Sequence, residues 1–150
     1  NGGQRVRPSL FSSLASVGPG SFDPVSVAQI NSILEGVITH GTAASAFRGF
    51  DRPLAGKTGT TNAGRDVWFA AYGPAFVVVA WVGMDDMSPL PRGAAGGSSA
   101  APIVRAILDG AGDALAFEPF TLPDGAVTVR AWRETGAVDG SGDVIEIVRE

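Results

Sequence analysis

Residues 75–84 read AFVVVAWVGM, and both alternating sets are apolar: Phe76, Val78, Ala80 and Val82 on one side, Val77, Val79 and Trp81 on the other. β-Branched and aromatic residues in such a run make a strand, and successive side chains of a strand point to opposite faces. A strand apolar on both sides predicts a sheet covered on both faces, so helices must pack on it. Gly73-Pro74 is a turn signal joining this run to residues 66–72, DVWFAAY, as an antiparallel hairpin. The small-sided stretch 55–61 lies upstream across the turn residues Asn62-Ala63-Gly64, and extends the hairpin to a three-strand meander.

Two helices are available to cover this sheet. Asp23 can cap the first and Pro24 can take its first position, where a missing N–H costs nothing. Val27, Ile30, Leu34, Val37 and Ile38 then recur at helical spacing and Gly41 supplies a stop, so the pattern predicts an amphipathic helix over 24–40. The second spans 100–115 on Ile103, Val104, Ile107, Leu108 and Ala111, with Pro102 in its first turn and Ser98 or Ser99 as cap. The expected class is α+β, an antiparallel sheet flanked by helices. Residues 1–22 form a lead-in with turn signals at Asn1-Gly2-Gly3 and Gly18-Pro19-Gly20 around the apolar stretch 10–17. Residues 85–99 form a long loop, and 126–150 a small hairpin or an extended linker.

At 150 residues, 45% hydrophobic and 17% charged, the chain has the size and mix of a folded domain. It begins with Asn1 and carries no charged stretch ahead of an apolar one, which reads as a processed or excised piece. The densest apolar run, 76–82, is far shorter than the roughly 20 residues that span a bilayer as a helix.

The rare residues exclude more chemistry than the common ones suggest. There is no cysteine, one histidine (His40), and Lys57 is the only lysine among 11 basic residues. Thiol nucleophiles, disulfides and Cys/His zinc sites are therefore ruled out. A net charge of −4 without a basic cluster argues against a nucleic-acid partner. Asp85 and Asp86, adjacent at a strand end, point to opposite faces and make a poor metal pair. No metal or cofactor is expected.

Any lysine chemistry passes through Ala55-Gly56-Lys57-Thr58-Gly59-Thr60-Thr61. Read as a strand, it presents the hydroxyls of Thr58 and Thr60 on one side, while Gly59 leaves the other open to close approach. Two hydroxyls, free N–H groups and an ammonium together suit a carboxylate. On these residues alone, a solvated lysine beside a turn is an equal reading. A phosphate-binding loop is not. Its first glycine would fall at Asp51, no apolar strand enters the motif, and a β-rich stretch follows where a helix should begin.

A wider set of residues carries a resemblance. Residues 55–62, then Arg65-Asp66-Val67-Trp68-Phe69, then Ala80-Trp81-Val82-Gly83-Met84-Asp85-Asp86 resemble the C-terminal part of the transpeptidase domain of class A (bifunctional) penicillin-binding proteins. Asn1-Gly2-Gly3 with Pro8, Gly41-Thr42-Ala43, and Gly96-Gly97 with Ala100-Ala101-Pro102-Ile103 fit the same family. The resemblance covers about 1–118 and leaves 119–150 as a C-terminal extension. It implies the penicillin-binding, serine β-lactamase-like fold and a serine acyl transferase that attacks the D-Ala–D-Ala amide of a peptidoglycan stem peptide, with β-lactams as substrate mimics. It further implies an extracytoplasmic location at the bacterial inner membrane and an upstream glycosyltransferase domain. On this chain Lys57 would be the motif lysine, Thr58 and Thr60 would bind the substrate carboxylate beside Gly59, and the Thr60 N–H would be one oxyanion donor.

The chain departs from the family where the nucleophile should be. Ser-x-x-Lys needs a serine three positions before a lysine, and Leu54 stands there. Ser-x-Asn fails because Gln29 precedes Asn31 and Thr60 precedes Asn62. The expectation is one wall of an active site, inert alone, whose main partner is the remainder of its own domain. A non-catalytic binding module with the same fold is the alternative.

Other residues receive structural readings. His40 complements the helix dipole. Trp68 and Trp81 are core or cross-strand partners, and Trp68 keeps some functional weight as a neighbour of the motif strand. Asp66 braces the turn after that strand through contacts with Asn62–Arg65. Residues 96–99 serve as a helix cap rather than as an anion nest.

Overall fold

The computed structural model describes residues 2–10 and 16–150, so Asn1 and most of the apolar stretch 10–17 lie outside the described residues. The chain divides into two compact units, residues 33–120 and residues 1–32 with 121–150. Helix α1 (Pro24–Thr39) begins in the second and ends in the first.

In the unit 33–120, strands β3 (Ala55–Thr60), β4 (Asp66–Gly73) and β5 (Phe76–Gly83) pair antiparallel in that order, the meander that the turn signals predict. Lys57 lies opposite Ala70, and Gly59, Trp68 and Trp81 share one row across the sheet. One face is packed shut. Val67, Phe69 and Ala71 are 0% exposed, and helix α2 (Ala101–Ala111) sets Ala101, Val104 and Leu108 into the same core. Phe47 packs on Phe69 with ring centroids 5.6 Å apart, and Phe50 and Phe76 each meet the Phe117 ring. The loop that carries Phe47 is tied down from two sides. Arg105 donates to the Arg48 carbonyl at 3.2 Å and Arg52 to the Gly112 carbonyl at 3.1 Å, while the two guanidiniums cover Phe50 and Phe117.

The other face departs from the expectation of cover on both sides. Val77 is 70% exposed, Val79 51%, Trp81 46% and Trp68 45%. Among the described residues, α2 and the 41–53 loop supply apolar cover to one side only. The alternation of apolar residues records that both faces are fit for burial; it does not supply the body that buries the second.

Helix α2 ends at Ala111, short of the expected 115, where Gly112 turns with φ +51°. Ahead of it, Gly96–Ala100 form a π-helical turn. Ser98 does not cap α2 directly; its hydroxyl accepts the Ala95 N–H and donates to the Gly93 carbonyl, both at 3.1 Å.

In the other unit, β1 (Gln4–Arg7) and β2 (Ser16–Ser21) form an antiparallel pair where only a lead-in was expected. The Phe22 N–H closes it on the Gly3 carbonyl at 3.0 Å. Asp23 caps α1 as its position predicts, accepting from the Ser26 N–H at 2.8 Å and the Ser26 hydroxyl at 2.7 Å. These bonds, the Ser26 hydroxyl's foremost, hold the Asp23 carboxyl below its usual range. Burial along α1 falls on Val25, Ala28 and Ile38 rather than on the whole predicted stripe, and Ile30 stays exposed. The tail is a hairpin: β6 (Ala126–Ala131) pairs antiparallel with β7 (Val144–Arg149), and Arg149 reaches Asp23 at 2.8 Å.

Candidate active site

The direction of one hydrogen bond orients the whole of β3. The Thr61 N–H donates to the Asp66 carbonyl at 2.9 Å, toward β4. Backbone groups of a strand alternate sides, so the N–H groups of Gly59 and Lys57 also face β4. Those of Thr58 and Thr60, with their carbonyls, face the opposite edge, which pairs with no strand among the described residues. Lys57 is exposed, and its Nζ donates to the Thr58 carbonyl at 2.8 Å, which brings the ammonium round to that free edge.

Thr58 and Thr60 share the face that packs under α2, as the alternation predicts, and each hydroxyl has a protein partner. Thr58 Oγ1 lies 2.9 Å from Thr42 Oγ1, and Thr60 Oγ1 accepts the Gly96 N–H at a long 3.5 Å. Gly59 faces the other way with Trp68; a Cβ there would sit 3.3 Å from Trp68 Cβ. The edge thus collects two backbone N–H groups, two nearby hydroxyls and one ammonium. That is a donor-rich surface for an acceptor-only ligand such as a carboxylate or an oxyanion.

Glycines let other backbone reach this strand. A Cβ on Gly96 would collide with the Trp68 carbonyl and the Gly59 backbone, and one on Gly97 with the Thr42 carbonyl. The turn ahead of α2 therefore lies directly on the β3–β4 ladder. Gly56 has the same constraint, since its Cβ would stand 2.9 Å from the Phe69 ring. The β3–β4 turn runs through Asn62–Gly64 as predicted, with φ +66° at Ala63 and +61° at Gly64. Asp66 does brace it, but through Thr61 and Trp81 rather than through 62–65. Its N–H donates to Thr61 Oγ1 at 3.0 Å and its carboxylate accepts the Trp81 indole N–H at 2.9 Å.

The remaining candidates take structural places. His40 lies just past α1, with its Nδ1 2.9 Å from the Thr39 hydroxyl. Trp68 and Trp81 are a cross-strand pair, centroids 6.2 Å apart, on the uncovered face and not in the core. Asp85 and Asp86 fall in the turn beyond β5; Asp86 accepts from Ser88, whose side-chain and backbone bonds lower its carboxyl pKa. In the 96–99 turn, the N–H groups of Gly96, Ser98 and Ser99 have acceptors within the protein. Burial raises the Glu35 carboxyl and the Tyr72 hydroxyl, the latter with a further push from the Glu35 charge. A cavity of about 480 Å³ lined by Thr39, Ser45, Phe47, Arg48 and others takes no residue from β3. Thr42 is the neighbour that sequence reasoning missed. Its sole signal was the small-residue run Gly41-Thr42-Ala43, matched by the close-packing glycines at 96 and 97.

The chain is similar to known proteins. A family model described as the penicillin binding protein transpeptidase domain matches residues 1–109. The chain is 38% identical over 124 residues to penicillin-binding protein 1A of Rickettsia bellii, covering 83% of this chain and 16% of that protein. It is 35% identical over 122 residues to penicillin-binding protein 1A of Escherichia coli K12, covering 69% of this chain and 14% of the relative. The chain thus spans about a sixth or less of the curated relatives it matches. The 2.6 Å crystal structure of penicillin-binding protein 1A from Haemophilus influenzae superposes with a TM-score of 0.71 at 26% identity, covering 88% of this chain and 21% of that one. The matched family model and relatives show that the chain belongs to the transpeptidase family of the class A penicillin-binding proteins.

Proposed function

We propose that this chain supplies the Lys-Thr-Gly wall of a peptidoglycan D,D-transpeptidase. Residues 1–118 belong to the transpeptidase domain and 119–150 are a C-terminal extension. The observation that carries this reading is the free edge of β3, where the Lys57 ammonium, the Thr58 and Thr60 N–H groups and the two threonine hydroxyls assemble. Lys57 supplies positive potential and contacts the serine of the second motif. Thr58 and Thr60 hold the stem-peptide carboxylate beside Gly59, and the Thr60 N–H stabilises the oxyanion.

The nucleophile lies outside the chain. In the complete protein a serine Oγ attacks the carbonyl carbon of the D-Ala–D-Ala amide, and the tetrahedral oxyanion forms against the β3 edge. The C–N bond breaks, the departing D-alanine takes a proton, and an amine from a second stem resolves the acyl-enzyme. β-Lactams enter the same path and remain attached. The uncovered face at Trp68, Val77, Val79 and Trp81 receives the remainder of the same domain. The complete enzyme works on the extracytoplasmic side of the inner membrane and carries a glycosyltransferase domain upstream.

Labelled penicillin tests the reading. The chain alone should take up no covalent label, and the complete protein should take up one label on a serine upstream of Asn1. Lys57→Ala in the complete protein should slow labelling about 100-fold or more, the scale of a lost oxyanion donor. Serine labelling of the isolated chain would overturn the assignment, as would full-rate labelling of Lys57→Ala. A complete protein with no upstream Ser-x-x-Lys would make the chain a binding module instead.

A further inference from the structure

Thr42 enters neither the lysine motif nor the core, yet the backbone around it is held from two sides. The Gly41 N–H before it donates to the Gly36 carbonyl at 2.8 Å, and the Ala43 N–H after it donates to the Val37 carbonyl at 3.1 Å. Ala43 itself is fully buried. From the other side, the backbone of Gly97 lies against the Thr42 carbonyl so closely that a Cβ would not fit. Within this clamp Thr42 is exposed, and Thr42 Oγ1 stands 2.9 Å from Thr58 Oγ1.

A hydroxyl pair at that distance shares one proton donor between two oxygens, so one hydroxyl donates inward and the other keeps its proton for a third group. The other donors of the edge converge on β3, on the Thr58 side of the pair. We infer that Thr42 is a positioning residue that donates to Thr58 Oγ1 and so turns the Thr58 proton toward the substrate carboxylate. The inference rests on the reading of β3 as the carboxylate-binding strand. Thr42 acts through Thr58 and touches no reacting atom. Chained hydroxyl donors also polarise one another, so Thr58 becomes the stronger donor to an anion.

The test uses the complete protein and two probes, a labelled penicillin with its free carboxylate and its methyl ester. Thr42→Val keeps the shape and removes the hydroxyl; Thr42→Ser keeps the hydroxyl. Thr42→Val should lower the acid-to-ester ratio of acylation rates about 3- to 10-fold, the scale of one hydrogen bond, and Thr42→Ser should restore it. Thr42→Val added to Thr58→Val should lower the ratio no further than Thr58→Val alone.

An unchanged ratio in Thr42→Val, with a lowered one in Thr58→Val, would overturn the role of Thr42 and leave the carboxylate strand standing. Equal slowing of both probes would also overturn it, since that is what a merely structural role gives. An unchanged ratio in Thr58→Val would remove the carboxylate reading and the role of Thr42 with it.

Discussion

The two faces of the β3–β4–β5 sheet are built from similar residues and end in different surroundings. Phe69, Val67, Ala71 and Ala80 lie under α2 and the Phe47 loop, with no more than 7% exposure. Trp68, Trp81, Val77 and Val79 alternate with them along the same strands and stand open. The hydrophobic effect rewards removal of either set from water in proportion to area, so composition cannot separate them. What separates them is the chain available to cover each face. Helix α2, reached from β5 through the 84–95 loop and the 96–100 turn, is long enough to cover one side. The result is a contiguous open patch of two tryptophans and two valines, a kind of surface that is uncommon where a protein meets only water.

Perturbing one face at a time turns this contrast into measurements. The largest effect is expected at the closed face. Phe69→Ala removes a fully buried ring and should cost the complete protein about 3–5 kcal/mol, read as a lower midpoint in chemical denaturation. The next distinguishes a covered second face from an open one. With the remainder of the domain seated on it, Val79→Asp would bury an unpaired carboxylate and cost about 3 kcal/mol in the complete protein. A change within about 0.5 kcal/mol, ordinary for a solvated position, would show that this face stays in water.

The smallest effect concerns the end of the open face that is not open. Tyr72 shares that face with Val77 but is half-buried, and the Glu35 charge helps to raise its hydroxyl pKa. Burial raises Glu35 above its ordinary 4.5. The folded state then holds the proton longer than the unfolded state does. Stability from this group is full below the unfolded pKa and declines as pH rises through the folded one. Glu35→Gln should therefore gain on the parent as pH climbs past about 4.5. The gain should stay under about 0.5 kcal/mol because half the group remains screened by solvent. Denaturation midpoints of the two proteins across this range check the sign; a gain that shrinks with rising pH would reverse it.

Much of the fold was legible where local chemistry and tertiary context ask for the same thing. Asp23 followed by Pro24 locally favours a helix start, and Gly73-Pro74 between two β-rich runs favours a hairpin; both form here. The β1–β2 pair was not legible, because β1 is a four-residue run with one apolar side chain, Val6, and β2 carries glycine, proline and serine in place of a period-two apolar pattern. At the candidate site, Lys57, Thr58, Gly59 and Thr60 stood out because they are contiguous and contain the chain's single lysine. Thr42 did not, since it lies 16 residues from its partner Thr58 and its hydroxyl is one among many. Gly96 and Gly97 looked like turn residues, and their function is close backbone packing.

By itself, the sequence determined the order and type of the main elements, the side of β3 on which each residue falls, and the absence of a Ser-x-x-Lys within these 150 residues. Each follows from a local rule: strand alternation, caps and turns, or a count of lysines. Only the tertiary structure decided which sheet face is closed, that the edge of β3 beside Lys57 is free among the described residues, and that Thr42 meets Thr58. These depend on which distant segments arrive beside the strand. Hydrophobic burial has no direction of its own, so only the packed chain can choose between two equally apolar faces.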